Sequence, residues 1–250
     1  VTTVATAGLL VPVGTAVAYF VVMFRSPKVT VPERTHLRAY IPLWIGAVLF
    51  FMISEQAAGK MATFAESNTD LRLPFFGWST TAEAYQSVNP AAIVLLAPLI
   101  GMLFTRRAGR FPSTIMKFVI AVLIVGLSAL MLGYGFQIWP GGQDLSPWWF
   151  LALVYVIQTV AELFLTPVGL ATTTALAPRS FASQAMGLWW LSVAAGQGVA
   201  GFVIAQTEHL SDATYYYGLG AATLLMALVL FAVAPWTQRQ MADVETATAE

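Results

Sequence analysis

The chain has 250 residues, of which 58% are hydrophobic and 10% charged, against roughly a quarter charged residues in ordinary soluble domains. With a mean hydropathy of +0.74 it reads as an integral membrane protein. Its formal net charge is zero, so no nucleic-acid surface is implied, and with no cysteine it has neither disulfides nor thiolate metal sites.

A helix needs about 20 apolar residues to cross the hydrocarbon core. The first such run, about 3 to 24, lacks a basic start and is too long for a signal-peptide core. Six more follow at about 40 to 64, 87 to 105, 113 to 137, 148 to 176, 182 to 206 and 214 to 236. The segments between them are short and polar or turn-forming, such as "RSPKVTVPERTHLR", "RRAGRFPS" and "PGGQDLSP". Neighbouring spans therefore run antiparallel, and the predicted fold is an all-α, polytopic bundle of about seven transmembrane helices.

Lys and Arg collect on the cytoplasmic side of a membrane protein. Placing residues 25 to 38 there gathers Arg25, Lys28, Arg34, Arg38, Arg106, Arg107, Arg110, Lys117, Arg179 and Arg239 on that side, ten of the twelve basic residues. The N-terminus then starts outside and the C-terminus ends inside. A chain that opens on a span in this sense is expected to be a piece of a longer one.

Three ionisable residues fall inside or near the ends of the spans: Glu55, Lys60 and Glu162. Insertion scales put a charge at a helix centre at roughly 2.5 to 3.5 kcal/mol, so such a residue persists with a partner or water. Lys60 lies near the outer end of its span, where its stem can carry the ammonium to the interface. Glu55 and Glu162 lie about 15 and 14 residues into theirs, hence about 22 Å along the helix axis. Neither has a basic residue of this chain at its depth. Glu55 and Lys60, five residues apart, do not face each other as an i, i+4 pair would.

The surroundings of these carboxyls carry further signals. Pro167 and Gly169 in "TPVG" are expected to loosen or bend the helix one turn past Glu162. In "YQSVNPAAIV", Asn89 stands beside Pro90 with Gln86 and Ser87 nearby. That stretch reads either as a polar site beside a perturbing proline or as a helix N-terminus with Pro in its first turn. "MGLWWLSVAAGQGVAG", residues 186 to 201, holds two small-xxx-small pairs, Ala194 with Gly198 and Gly196 with Ala200, which let helices pack closely. Trp189 and Trp190 point about 100° apart, so one can face the interior while the other meets lipid. Both histidines, His36 and His209, fall in predicted loops, leaving no carboxylate–histidine grouping for a membrane enzyme.

Taken in order, "FFMISEQ", "YQSVNP", "AELFLTPVGLATTTALAP" and "MGLWWLSVAAGQG" resemble the C-terminal half of the proton-dependent oligopeptide transporters, a branch of the major facilitator superfamily. The resemblance covers roughly residues 40 to 236. It implies that residues 40 to 237 form a six-helix half, that residues 1 to 39 are an inter-bundle extra helix with a basic cytoplasmic loop, and that 238 to 250 are a cytoplasmic tail. It also implies an absent N-terminal six-helix half and a location in the cell's inner membrane. Glu162 resembles the glutamate that receives the peptide amino terminus, Asn89 the asparagine beside it, and Gln86 a further substrate contact. Trp189 resembles an aromatic lining a side-chain pocket. Glu55 resembles the acid of gating and proton coupling, and Pro167 and Gly169 take part in gating. The implied substrates are di- and tripeptides, with a proton gradient and no cofactor or metal. The sequence departs from the family where Gly59 and Lys60 replace small hydroxyl residues. Rival readings are a facilitator of another substrate, such as nitrate, a sugar or a drug, and a structural membrane subunit.

Overall fold

The computed structural model describes residues 2–74, 78–106 and 112–247. Arg107 and Arg110, two of the basic residues assigned to the cytoplasmic side, lie outside them. Among the described residues, seven helical segments are long and apolar enough to cross a membrane: Thr3–Arg25, Val31–Ser67, Ala82–Arg106, Thr114–Ile138, Trp148–Leu176, Arg179–Gln206 and Asp212–Met241. The regular helices within them are α1 (Thr2–Arg25), α2 (Val31–Ser54), α3 (Lys60–Ser67), α4 (Val88–Arg106), α5 (Thr114–Ile138), α6 (Trp148–Leu176), α7 (Ala182–Gln206) and α8 (Asp212–Ala247).

The second span departs most from its predicted bounds. It starts at Val31 because "TVPE" is a helix start: Pro32 fits the first turn, and the Glu33 carboxylate accepts from the backbone N–H and hydroxyl of Thr30, both at 2.8 Å. The expected basic loop of 25 to 38 thus shrinks to a few residues, and His36 stands in α2 instead of a loop. At the far end the helix tightens into a 3-10 turn at Glu55–Ala58 and breaks at Gly59, with φ −113° and ψ −119°, before α3 resumes. The final helix also outruns its predicted end. Residues 238–247 continue α8, as helix formers follow Pro235 with no second proline or glycine, and Met241 packs inward.

Close approach at small residues sets the packing. A Cβ on Gly198 would lie 2.2 Å from the Gly8 carbonyl of α1, and one on Gly196 would lie 2.7 Å from Cβ of Phe51 on α2. The two small-xxx-small pairs of α7 therefore serve different neighbours, one holding α1 and the other α2. On α5, Gly126 and Gly133 meet Leu224 and Tyr217 of α8 in the same way. Near its start α2 is tied by Tyr40 Oη to Thr173 Oγ1 at 2.7 Å, and Trp44 Nε1 donates to the Leu188 carbonyl at 2.7 Å.

The loop contacts agree with the alternation of spans. Asn68 and Asp70, just past α3, pair with the α5–α6 linker: Asp70 N–H donates to Ser146 O at 2.9 Å, and Ser146 N–H to Asn68 O at 2.7 Å. Gly141 and Gly142 make that linker's turn with φ of 97° and 73°, which side chains disfavour. At the opposite end of the bundle, Glu33 accepts from the Arg179 N–H at 2.9 Å and so joins the α1–α2 and α6–α7 linkers.

Candidate functional site

A cavity of about 290 Å³ opens between α2, α4 and α6. Four of the seven predicted site residues line it: Glu55, Gln86, Asn89 and Glu162. Each arrives by a different device. Glu162 projects from the middle of α6. Asn89 sits in the first turn of α4, ahead of Pro90, so both readings of "SVNP" hold: it is a helix start and it supplies a polar group. Gln86 belongs to the 3-10 turn Ala82–Ser87 that feeds α4, and Glu55 opens the 3-10 turn that ends α2.

The centre of the site is one charge-assisted bond. Asn89 Nδ2 donates to Glu162 Oε2 at 2.9 Å and also reaches Thr159 Oγ1 at 3.2 Å. The Thr159 hydroxyl in turn donates to the Tyr155 carbonyl at 2.8 Å, which fixes it as an acceptor for the amide. Bonds of this kind to a charged group contribute about 1.5 to 3 kcal/mol, and here they hold the carboxylate's position without neutralising it. On the opposite wall Glu55 accepts from Gln197 Nε2 at 2.9 Å. Among the described residues no Lys or Arg lines the cavity, so two carboxylates share a space with amides and hydroxyls.

The structure corrects one expectation, the position of Glu55, and gives two others a tertiary setting. Lys60 starts a new helix after the break at Gly59, forms an ion pair with Asp212 at the start of α8, and sits 4.9 Å from the centre of the Tyr215 ring, so a lysine expected near the outer end of its span gains a specific partner. Glu55 lies at the end of α2, 25 residues from its start, because the helix begins earlier than hydropathy suggested. α6 runs unbroken through Pro167 to Leu176, and Gly169 has a packing reason: a Cβ there would fall 2.1 Å from Cη2 of Trp189.

Trp189 is turned inward, 1% exposed, while Trp190 is 60% exposed. It stands behind the cavity wall rather than in it, edge-on to Phe51 with ring centres 5.8 Å apart, and Phe51 is the residue that lines the cavity. Sequence reasoning did not single out the other polar lining residues, Ser54, Tyr155 and Gln158. The last was legible in principle, since a glutamine four residues before Glu162 shares its helix face.

These features define a multi-pass membrane bundle built as one half of a major facilitator fold, with a polar cavity on one side. The sequence model of the POT family (PTR2) matches residues 9–218, and the chain belongs to that family. An uncharacterized transporter, YclF, of Bacillus subtilis (strain 168) is 35% identical over 95% of this chain and 46% of its own length. A di-/tripeptide transporter of Lactococcus lactis subsp. lactis (strain IL1403) is 33% identical over 95% of this chain and 47% of its own. Among solved structures, a POT family transporter in complex with 5-aminolevulinic acid superposes with a TM-score of 0.87 at 32% identity, covering 94% of this chain and 48% of that one. The chain thus spans about half the length of the relatives it matches.

Proposed function

We propose that this chain is the C-terminal half of a proton-coupled symporter that takes up di- and tripeptides by alternating access. In that reading the C-terminal bundle of residues 40 to 237 takes in the whole of α2 from Val31, residues 1 to 30 are an extra inter-bundle helix with its linker, and 238 to 250 are a cytoplasmic C-terminal extension. A facing six-helix half closes the cavity, and the protein sits in the cell's inner membrane with its Lys- and Arg-rich linkers inside. The observation that carries the reading is the cavity in which Asn89 holds Glu162 and, among the described residues, no Lys or Arg stands in the lining. An ammonium entering there finds a fixed carboxylate and a helper amide at hydrogen-bonding range. Relatives named as di-/tripeptide transporters support peptides as the substrate. The 5-aminolevulinic acid held by a relative likewise carries an amino group.

Glu55 fits the coupling role. It faces the same cavity on the 3-10 turn beside a helix break, so a proton taken up there changes the charge at a place where the backbone can rearrange. The driving force is the proton gradient, with no cofactor. Glu55→Gln should impair proton-driven accumulation and leave counterflow exchange, which needs no proton return; unchanged accumulation would remove Glu55 from the coupling scheme.

Glu162 is tested by ligand. Removing one member of a buried ion pair costs about 3 to 5 kcal/mol, so Glu162→Gln should abolish binding of peptides with free amino ends. N-acetylated peptides lack the cation, so they should bind the parent poorly and lose little on mutation. Isothermal titration of both ligands against both proteins decides the matter, and equal losses would mean that Glu162 acts through packing.

A further inference from the structure

Gln158 lies on α6 one turn before Glu162 and lines the same cavity. It is 4% exposed, and its Nε2 meets no acceptor among the described residues. The other fully buried amides among the described residues are partnered, as is Asn89 in the site. Gln56 donates to the Met52 carbonyl and to Tyr215 Oη, both at 2.9 Å, and accepts from Tyr216 Oη at 3.0 Å. Asn68 donates to the Trp139 carbonyl at 2.8 Å, and Asn89 to Glu162. The acceptors nearest Gln158 in sequence are taken, since Thr159 Oγ1 receives Asn89 while bonding to Tyr155. A donor left unmet in such a place destabilises the fold by about 1 to 3 kcal/mol. Ser54 Oγ is the other buried polar atom of the lining without a partner among the described residues, but a hydroxyl swivels to whatever arrives. A planar amide held by burial offers its donors in one direction.

Along this face of α6 the cavity therefore presents an acceptor, Glu162, and a free donor, Gln158, on residues whose Cβ atoms are about 5 to 6 Å apart. A peptide's amino end presents the complement: an ammonium donor and, three bonds away, a carbonyl acceptor at roughly 3 Å. Two hydrogen bonds can converge on that unit from adjacent turns of one helix. Resting on the reading of Glu162 as the ammonium acceptor, we propose that Gln158 Nε2 donates to the first carbonyl of the substrate. The pair would then recognise an α-amino carbonyl unit rather than any amine.

Diglycine and 5-aminopentanoic acid separate the two groups, because they share an ammonium, a carboxylate and a backbone length, and only diglycine has the carbonyl. Isothermal titration is run on the transporter with its facing half, as wild type, Gln158→Met and Glu162→Gln. Methionine keeps the length and shape of the side chain without its donors. One hydrogen bond of about 1.4 kcal/mol corresponds to tenfold in Kd, so Gln158→Met should weaken diglycine about tenfold and 5-aminopentanoic acid less than about twofold. Equal weakening of both ligands, including loss of both through misfolding, assigns Gln158 to packing and overturns the proposal, as does no weakening of either. Glu162→Gln should weaken both. If it weakens neither while Gln158→Met still separates the ligands, the ammonium reading falls and the carbonyl contact stands.

Discussion

Replacing Gly169 by alanine separates a packing glycine from a hinge glycine. The added Cβ would lie 2.1 Å from Cη2 and 2.3 Å from Cζ3 of Trp189. Carbon atoms in contact rest at about 3.5 to 4.0 Å, so the indole or the helix must retreat by about 1.5 Å. Trp189 has little room to do so, being 1% exposed and set against Phe51, while α7 is held close to α2 at Gly196. Overpacking of this kind costs about 1 to 3 kcal/mol. The sign is informative, because without a clash Gly→Ala inside a helix stabilises by about 0.5 to 1 kcal/mol. Thermal unfolding of the detergent-solubilised protein, followed by circular dichroism, should show Gly169→Ala melting below the parent. In a Trp189→Phe background, where the ring reaches less far, most of the penalty should vanish. A penalty that persists in full in that background, or a variant more stable than the parent, would refute the seat and return Gly169 to the role of a flexible joint.

Two further outcomes follow from the contacts. The Lys60 and Asp212 side chains are 24% and 37% exposed, so solvent screens the pair and Lys60→Met should lower stability by about 1 kcal/mol or less. The double variant with Asp212→Asn should lose less than the sum of the single changes in a thermal-unfolding cycle, and strict additivity would show that the ion pair contributes nothing. These 250 residues hold no cysteine, so topology is readable by single introductions at two exposed positions, Lys28 and Asp144, in a transporter whose remaining cysteines, if any, are replaced. An impermeant thiol reagent added to whole cells should label the cysteine at 144 and spare the one at 28; labelling at 28 would invert the orientation.

The membrane class, the number of spans and the rough position of each were legible in the amino-acid sequence, because bilayer thickness demands a run of apolar residues whatever the partners. The identity of two cavity carboxyls was legible for a related reason: Glu55 and Glu162 interrupt runs that would otherwise be apolar, and Asn89 sits beside a proline in a way that marks a helix start. The capping pattern at Thr30 and Glu33 is present in the sequence too, and it starts the second span earlier than hydropathy does. Chain reversals and breaks were less visible. Lys60 was legible as a residue near the outer end of its span; that it starts a new helix after the break at Gly59, with Asp212 as its partner, was not.

What the sequence could not settle is which side chains meet. Hydropathy and periodicity measure each helix against an average environment, whereas the site depends on pairs drawn from different helices, such as Asn89 with Glu162 across 73 positions and Gln197 with Glu55 across 142. The same holds for Gly169, whose neighbours in sequence suggest flexibility and whose neighbour in space is an indole ring. Whether Trp189 stands in the cavity wall or behind it, and whether Gln158 keeps a donor in reserve, are decided by helix rotation and close approach at small residues. Those are fixed by the packing of the whole bundle and by no local stretch of chain.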